Sequence, residues 1–122
     1  MIVAGFGFRA GATAESLADA LRAASGGRPV AALATPADKV EARAFAALAA
    51  ALRLPARAVA PAALVGQDTA TRSSASHRAR GVGSVAEAAA LAAAGPGARL
   101  LAPRAVSRDR QATCALAEGG DP

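Results

Sequence analysis

The chain has 122 residues, a formal net charge of +5 and 53% hydrophobic residues, and 40 of its residues are alanine. This length predicts a single domain, and the absence of any apolar run near the roughly 18 to 20 residues that cross a bilayer predicts a cytoplasmic protein with no membrane partner. One cysteine and one histidine exclude a disulfide framework and disfavour a metal site, so no cofactor is expected. Dispersed basic residues without Tyr or Trp disfavour nucleic acid.

The N-terminal residues predict a short strand that leads into a glycine-rich turn. Ile2–Ala4 is predicted as the strand, and Thr13 and Glu15 suit the first turn of a following helix. Four residues of the turn are expected to contact an anion: Gly5, Gly7, Arg9 and Gly11. Their spacing is neither the dinucleotide fingerprint nor a Walker loop, so the anion can be a carboxylate as well as a phosphate.

Four further elements are predicted before the middle of the chain: a helix over 14–24, a strand over 29–34, a helix over 41–52 and a short strand over 57–60. Thr35 and Lys39 follow the second strand. Lys39 is the only lysine among 14 basic residues, in a chain that otherwise uses arginine. This preference suggests a function for Lys39, although an ordinary solvated lysine before a helix is the alternative.

The second half begins with a helical turn over 61–65 and a polar loop over 66–76. Ser84 and Glu87 are predicted to form a capping box for a helix that ends before Gly95. Two last strands are predicted over 100–103 and 112–116, with a basic stretch over 104–110 between them. The domain is expected to span residues 1–117, with a disordered tail over 118–122.

Alternation of strands and helices predicts an α/β fold, a three-layer α/β/α sandwich around a mixed, mostly parallel sheet of about five strands. Ligands in such sheets bind beyond the carboxyl ends of the strands. Arg9, Lys39 and Arg104 each follow a predicted strand, so we expect them to surround one crevice at that edge. The alternative is that these residues are polar only because loops are polar.

Several motifs together resemble one known family. They are Val3-Ala-Gly-x-Gly-x-Arg-x-Gly11, Ala32-Leu-Ala-Thr35 with Lys39, the stretch from Gly81 to Leu91, Leu100-Leu-x-Pro103, and Ala112-Thr113-x-Ala115. In this order they resemble the cobalamin biosynthesis CobE family and the C-terminal domain of CbiG. The resemblance implies a role in corrin ring formation, and the lack of the extra N-terminal region of CbiG suggests a standalone CobE-like protein.

The resemblance also implies the ligand class, a precorrin or corrinoid intermediate that carries many carboxylates on a flat apolar ring. Residue chemistry agrees, because Arg, Lys and helix N-termini suit carboxylates. The expected ligand-binding residues are Gly5, Gly7, Arg9, Gly11, Thr35, Lys39, Ser84, Arg104 and Thr113. The family usually has Pro-Lys where this chain has Pro103-Arg104, which keeps the charge but removes a deprotonable amine. Other cobalamin biosynthesis enzymes are possible partners.

No catalytic residue can be assigned from the sequence. His77 is interpreted as a surface histidine, Cys114 as a buried apolar residue and Glu87 as a helix-capping residue, and no triad or carboxylate pair is present. Three functions therefore remain open. The first is binding and transfer of a corrinoid intermediate, and the second is the CbiG-type precorrin lactone hydrolysis that releases acetaldehyde. The third is nucleotide binding at the glycine turn.

Overall fold

A computed structural model of the chain describes residues 1–67, 69 and 84–120. Its strands are β1 (Ile2–Phe8), β2 (Ala32–Pro36), β3 (Ala56–Val59), β4 (Arg99–Leu100), β5 (Ala105–Val106) and β6 (Ala112–Glu118). Its α-helices are α1 (Ala14–Ser25), α2 (Arg43–Leu52), α3 (Pro61–Val65) and α4 (Val85–Ala94), and a 3-10 turn covers Ala37–Lys39.

The strands form one six-stranded sheet in the order β3-β2-β1-β6-β4, and β5 also pairs with β6. β1 is parallel to β2, and β2 is parallel to β3. β6 is antiparallel to β1, β4 and β5. Within the described residues, five strands therefore run in one direction and β6 runs in the other, which confirms the predicted mixed, mostly parallel sheet.

Helices cover both faces of the sheet, as the alternating pattern predicted. On one face α1 and α2 pack on a core that includes Phe6, Leu33 and Phe45, all fully buried. On the other face α3 and α4 pack on Val3, Ala32 and Ala34 and their neighbours. The second core is built mostly from alanine, so α4 lies close to the sheet.

The predicted boundaries were wrong at several strands. β2 covers Ala32–Pro36 and not residues 29–34, so Thr35 lies within it and not after it. β1 continues to Phe8, so Gly5 and Gly7 lie inside the strand and not in a turn. β6 pairs along the whole of β1, and this ladder keeps the glycines extended. Of the segment predicted as one strand over 100–103, only Leu100 lies in a strand, β4, and the next strand, β5, begins at Ala105 after Arg104.

The predicted tail also begins too early. Glu118 is the last residue of β6, opposite Ile2, and its carboxylate is 2.9 Å from a guanidinium nitrogen of Arg99. The Gly119 N–H donates to the Met1 carbonyl. The pairing of Glu118 with Ile2 and the bond from Gly119 to Met1 thus carry the sheet contacts beyond residue 117. Residues 121 and 122 lie outside the described residues.

Within the described part of the chain, no helix is both long and apolar enough to cross a membrane; the longest, α1, has 12 residues.

Candidate ligand-binding site

Two of the positive residues that the sequence singled out, Arg9 and Lys39, lie at the carboxyl end of β1. β1 ends at Phe8, and α1 begins after the short turn that follows it. A Cβ added to Gly7 would lie 3.3 Å from the Cβ of Val85, so the first turn of α4 also reaches this end of β1. Two helix N-termini, with their partial positive charge, therefore face the same edge of the sheet.

Lys39 lies over the last residue of β1. Its Nζ is 3.4 Å from the Phe8 carbonyl oxygen and 5.1 Å from the centroid of the Phe8 ring. The Phe8 ring in turn stacks on Phe45, at 6.2 Å between centroids and 6° between planes. A single long carbonyl hydrogen bond and a cation–π contact hold the ammonium group in place, and they leave it donors for a further acceptor.

Arg9 continues from the same point and is exposed. Its N–H donates to the Gln111 carbonyl over 2.9 Å, and its own carbonyl accepts from Ala12. Gly11 is exposed in this turn, and a Cβ added there would meet only the Gln111 side chain, at 3.5 Å. Of the residues predicted to bind a ligand, Arg9, Gly11 and Lys39 are thus exposed or half-buried at this edge.

Gly5 and Gly7 have a different role from the predicted one. A Cβ on Gly5 would lie 2.2 Å from the Ala86 carbonyl oxygen and 2.4 Å from the Ala90 nitrogen, both backbone atoms of α4. Gly5 is buried. The two glycines let helix α4 approach the sheet closely. The prediction that they line an anion-binding turn was wrong, because pairing with β6 extends β1 past both of them.

Three predicted hydroxyl ligands hold protein backbone. Thr35 is fully buried and donates to the Phe6 carbonyl, and Thr113 donates to the Gly7 carbonyl. Ser84 is the N-cap of α4, where its Oγ accepts from the Glu87 N–H. These bonds link β2, β1 and β6 at the edge that carries Lys39 and set the start of α4.

Arg104 lies on the far side of β6. Its backbone N–H donates to the fully buried carboxylate of Glu87, over 2.9 Å. Ala105 pairs with Cys114, which itself pairs with Phe6, so Arg104 lies beside the middle of β6. β1 and β6 separate it from Lys39 in the sheet. The single crevice shared by Arg9, Lys39 and Arg104 therefore stays a prediction.

Sequence reasoning missed a hydrogen-bonded turn at this edge, the β5–β6 loop (Ser107–Gln111). Asp109 Oδ1 accepts from Ser107 Oγ at 2.6 Å and from the Gln111 N–H at 3.1 Å, and Oδ2 accepts from Ser16 Oγ at 2.5 Å. Ser107 first, then Ser16 and Gln111, lower the pKa of Asp109 through these bonds. A Ser-x-Asp-x-Gln pattern between two strands hinted at an Asx turn, but nothing local revealed Ser16 as a partner.

His77 and residues 81–83 of the third motif lie outside the described residues. Cys114 is fully buried in β6, and burial raises the pKa of its thiol. The thiol therefore stays protonated inside the sheet.

A cavity of about 340 Å³ lies at the other end of the molecule, beside the C-terminal end of α4. Gln67 and small or apolar residues such as Leu91 and Gly95 line it. No charged side chain is among its lining residues, so it has no charge to offer an anionic ligand. Arg9 and Lys39 are at the opposite edge of the sheet.

Comparisons with known proteins agree on one family. Residues 2–117 match the family model described as the cobalamin synthesis G C-terminus. The crystal structure of CobE, a protein from the cobalamin (vitamin B12) biosynthetic pathway, is 36% identical, with a TM-score of 0.85 over 96% of this chain and 89% of that one. The cobalamin biosynthesis protein chiG from Agrobacterium tumefaciens is 37% identical, with a TM-score of 0.76 over 99% of this chain and 100% of that one.

A third structure shows the fold alone. A putative cobalamin biosynthesis protein G homolog from Sulfolobus solfataricus is 17% identical, with a TM-score of 0.67 over 95% of this chain and 36% of that one. No curated protein sequence matches the chain.

Proposed function

Because this chain belongs to the family of the cobalamin synthesis G C-terminus and is a cobalamin biosynthesis protein, we propose that it binds a polycarboxylate precorrin or corrinoid intermediate of that pathway. The binding site we propose is the edge of the sheet formed by the carboxyl ends of β1 and β2. In this role the protein holds a labile tetrapyrrole and passes it to another enzyme of the pathway.

The observation that carries the proposal is the placement of Lys39. Its ammonium group is held at 5.1 Å from the centroid of the Phe8 ring and 3.4 Å from the Phe8 carbonyl, at the end of β1. Phe8 is half-buried on the fully buried Phe45, so an apolar surface and a cation occur side by side. A flat ring with peripheral carboxylates needs this combination.

Neighbouring groups support the same ligand class. Arg9 is exposed next to Phe8, and its guanidinium group offers the paired donors that suit a carboxylate. The N-termini of α1 and α4 add partial positive charge at this edge. Carboxylates distributed around a macrocycle can reach several of these groups at once.

Two alternatives are less well supported by these contacts. Nucleotide binding was proposed for the glycine turn, but Gly5 lies against the backbone of α4 and cannot cradle a phosphate. A precorrin lactone hydrolase would use the same binding edge, with an additional acid or base acting on the lactone. The described contacts support binding, and the test below separates binding from turnover.

The test is a titration of the purified protein with hydrogenobyrinic acid, followed by absorbance and by co-elution in gel filtration. Removing one charge-assisted contact weakens binding by roughly 10- to 150-fold. We expect Lys39→Ala to lie in this range and Lys39→Arg to lose less, because the charge is kept. A lactone-bearing precorrin intermediate is then incubated with the protein, recovered and its mass measured. An unchanged mass is the result expected of a binding protein, whereas a lactone hydrolase would change it.

Arg28→Ala is the matched control. Arg28 is exposed in the loop that enters β2, at the amino ends of the parallel strands. The Arg28→Ala variant loses one positive charge, as Lys39→Ala does, but at the opposite edge of the sheet. Its affinity for the ligand should therefore equal that of the wild type. Equal losses for Lys39→Ala and Arg28→Ala would show that only net charge matters, and the absence of wild-type binding would overturn the proposed function.

A further inference from the structure

We infer that Arg110 is an additional carboxylate-binding residue of this same edge and that Asp109 is a positioning residue that holds it there. The inference rests on the proposed function. Arg110 adds a second strand-connecting loop to the proposed site.

The β5–β6 loop is joined to the ends of the strands around it. Ser107 N–H donates to the Ala112 carbonyl over 2.9 Å, and the Ala112 N–H donates to Ser107 Oγ over 3.1 Å. The Gln111 carbonyl accepts from Arg9, at the end of β1. The loop therefore begins and ends within the same ladder that carries Phe8 and Arg9.

Helix α1 holds the loop from the side. Ser16, in the first turn of α1, donates to Asp109, and Asp19 accepts from the Arg108 N–H at 2.7 Å. The positive end of the α1 dipole also favours the Asp109 carboxylate. Together with the bonds that Gln111 makes to Asp109 and Arg9, these contacts fix the backbone on both sides of Arg110.

Arg110 has a backbone conformation that L-residues rarely adopt. Its φ is 61°, and its N–H donates to the Ser107 carbonyl over 3.0 Å to close a turn. Glycine would fit this position without the steric cost that a Cβ brings. The turn therefore holds the backbone of Arg110 in a fixed conformation and leaves its side chain exposed.

The charges of this loop are not equivalent. The Arg108 guanidinium is 3.9 Å from the Asp19 carboxylate, so part of its charge is balanced within the protein. For Arg110 and Arg9, no ion pair occurs among the residues that the structure describes. Both are exposed, and Arg9 donates to the carbonyl of Gln111, the residue after Arg110, next to Phe8, which Lys39 contacts. An anionic ligand at this edge would be their counter-charge.

The decisive comparison is Arg110→Gly against Arg53→Gly. Arg53 also has a positive φ, 57°, but lies after α2, away from the edge that carries Arg9 and Lys39. Both changes remove an exposed guanidinium group and place glycine where φ is positive. Both variants should therefore fold, with an unfolding midpoint at or above that of the wild type. We expect Arg110→Gly to weaken hydrogenobyrinic acid binding by about 10-fold or more and Arg53→Gly to leave it unchanged.

The role of Asp109 is tested by a double-mutant cycle. Asp109→Ala removes the acceptor for all three donors and should weaken binding about as much as Arg110→Gly. Because Asp109 acts through Arg110, the double variant should lose no more than either single variant. Asp109→Asn keeps an acceptor oxygen for Ser107 and Gln111 and should retain most of the affinity.

The outcomes distinguish this inference from the proposed function. If the wild type does not bind the tetrapyrrole, the proposed function fails and the inference fails with it. If Lys39→Ala loses affinity and Arg110→Gly does not, the function stands and the role of Arg110 is wrong. If the losses of affinity add in the double variant, the positioning role of Asp109 is wrong, and the role of Arg110 still stands.

Discussion

Asp109 shows how one carboxylate joins the β5–β6 loop to helix α1. It accepts from a residue of its own loop, from the backbone before β6 and from a serine 93 positions earlier in α1. Each bond favours the ionised form, which is why its pKa is lowered.

The lowered pKa of Asp109 predicts a loss of stability in acid. In the folded protein the pKa of Asp109 lies below its ordinary value of 3.8. The ionised carboxylate therefore stabilises the native state at pH values above 3.8. The contribution is lost as the pH falls through the lowered folded value. Urea unfolding is measured for the wild type and for Asp109→Asn between about pH 2 and 6. The wild type should have the larger free energy of unfolding near pH 6, and this difference should shrink towards about pH 2.

Glu41→Gln is the control, since Glu41 is an exposed carboxylate with no side-chain hydrogen bond in the described part of the chain. Its unfolding free energy should follow that of the wild type throughout. A constant difference between wild type and Asp109→Asn at every pH would contradict the linkage.

Among the structural elements, α4 depends most clearly on missing side chains in its partner strand. Gly5 and Gly7 of β1 face it, and its own buried face is largely alanine, including Ala86 and Ala90. The short separation brings the first turn of α4 and its cap, Ser84, to the carboxyl end of β1. A helix held farther from the sheet would move the N-terminus that we assign to the binding edge.

We predict an order of stabilities for alanine at three glycines. Gly5→Ala would place a Cβ 2.2 Å from a backbone oxygen of α4 and should cost about 3 kcal/mol. Gly7→Ala meets Thr113 Oγ1 at 3.0 Å and should cost about 1 kcal/mol. Gly11→Ala makes only a 3.5 Å contact with Gln111 and should change stability by less than about 0.5 kcal/mol.

Chemical unfolding of the three variants measures this order directly. Gly11→Ala serves as the matched control, because it adds the same methyl group to the same segment. A Gly5→Ala variant as stable as the wild type would mean that α4 is not in backbone contact with β1.

At the scale of the whole molecule, β6 joins the parallel strands β1, β2 and β3 to the short strands β4 and β5. It lies between β1 and the short strands β4 and β5, and it runs against all three. Its amino end pairs at Ala112 with Phe8, at the edge that we propose for binding, and its carboxyl end pairs at Glu118 with Ile2 beside the N-terminus. Opening β6 therefore requires the sheet itself to come apart.

Cys114, in the middle of β6, reports this opening. It is fully buried, and burial raises the pKa of its thiol, so both access and ionisation oppose reaction in the native state. We predict that a thiol reagent such as DTNB reacts at least about 10³-fold more slowly with the native than with the unfolded protein. The rate should rise with urea in parallel with global unfolding, and rapid stoichiometric reaction in native buffer would contradict this picture.

Much of the architecture followed from local patterns in the sequence. Alternating apolar segments predicted the layered α/β fold, and Thr13 and Ser84 were recognised as helix caps because their side chains act within one helical turn. Lys39 was singled out because it is the only lysine in an arginine-rich chain. These features depend on residues a few positions apart, whose geometry is nearly the same in any fold.

Other features were decided only by tertiary contacts. Gly5 resembled part of a ligand-binding turn until pairing with β6, more than 100 residues away, showed that the strand continues past it. Thr35 and Thr113 resembled ligand contacts, but carbonyls of β1 take up their hydroxyl hydrogens. The role of Asp109 depends on Ser16, which the chain brings beside it only when α1 packs on β5 and β6. The sequence alone therefore determined the fold class and pointed to Arg9 and Lys39, the cations of the proposed site. Long-range packing decided which polar groups face solvent, because a buried group must bond with whatever backbone the fold places beside it.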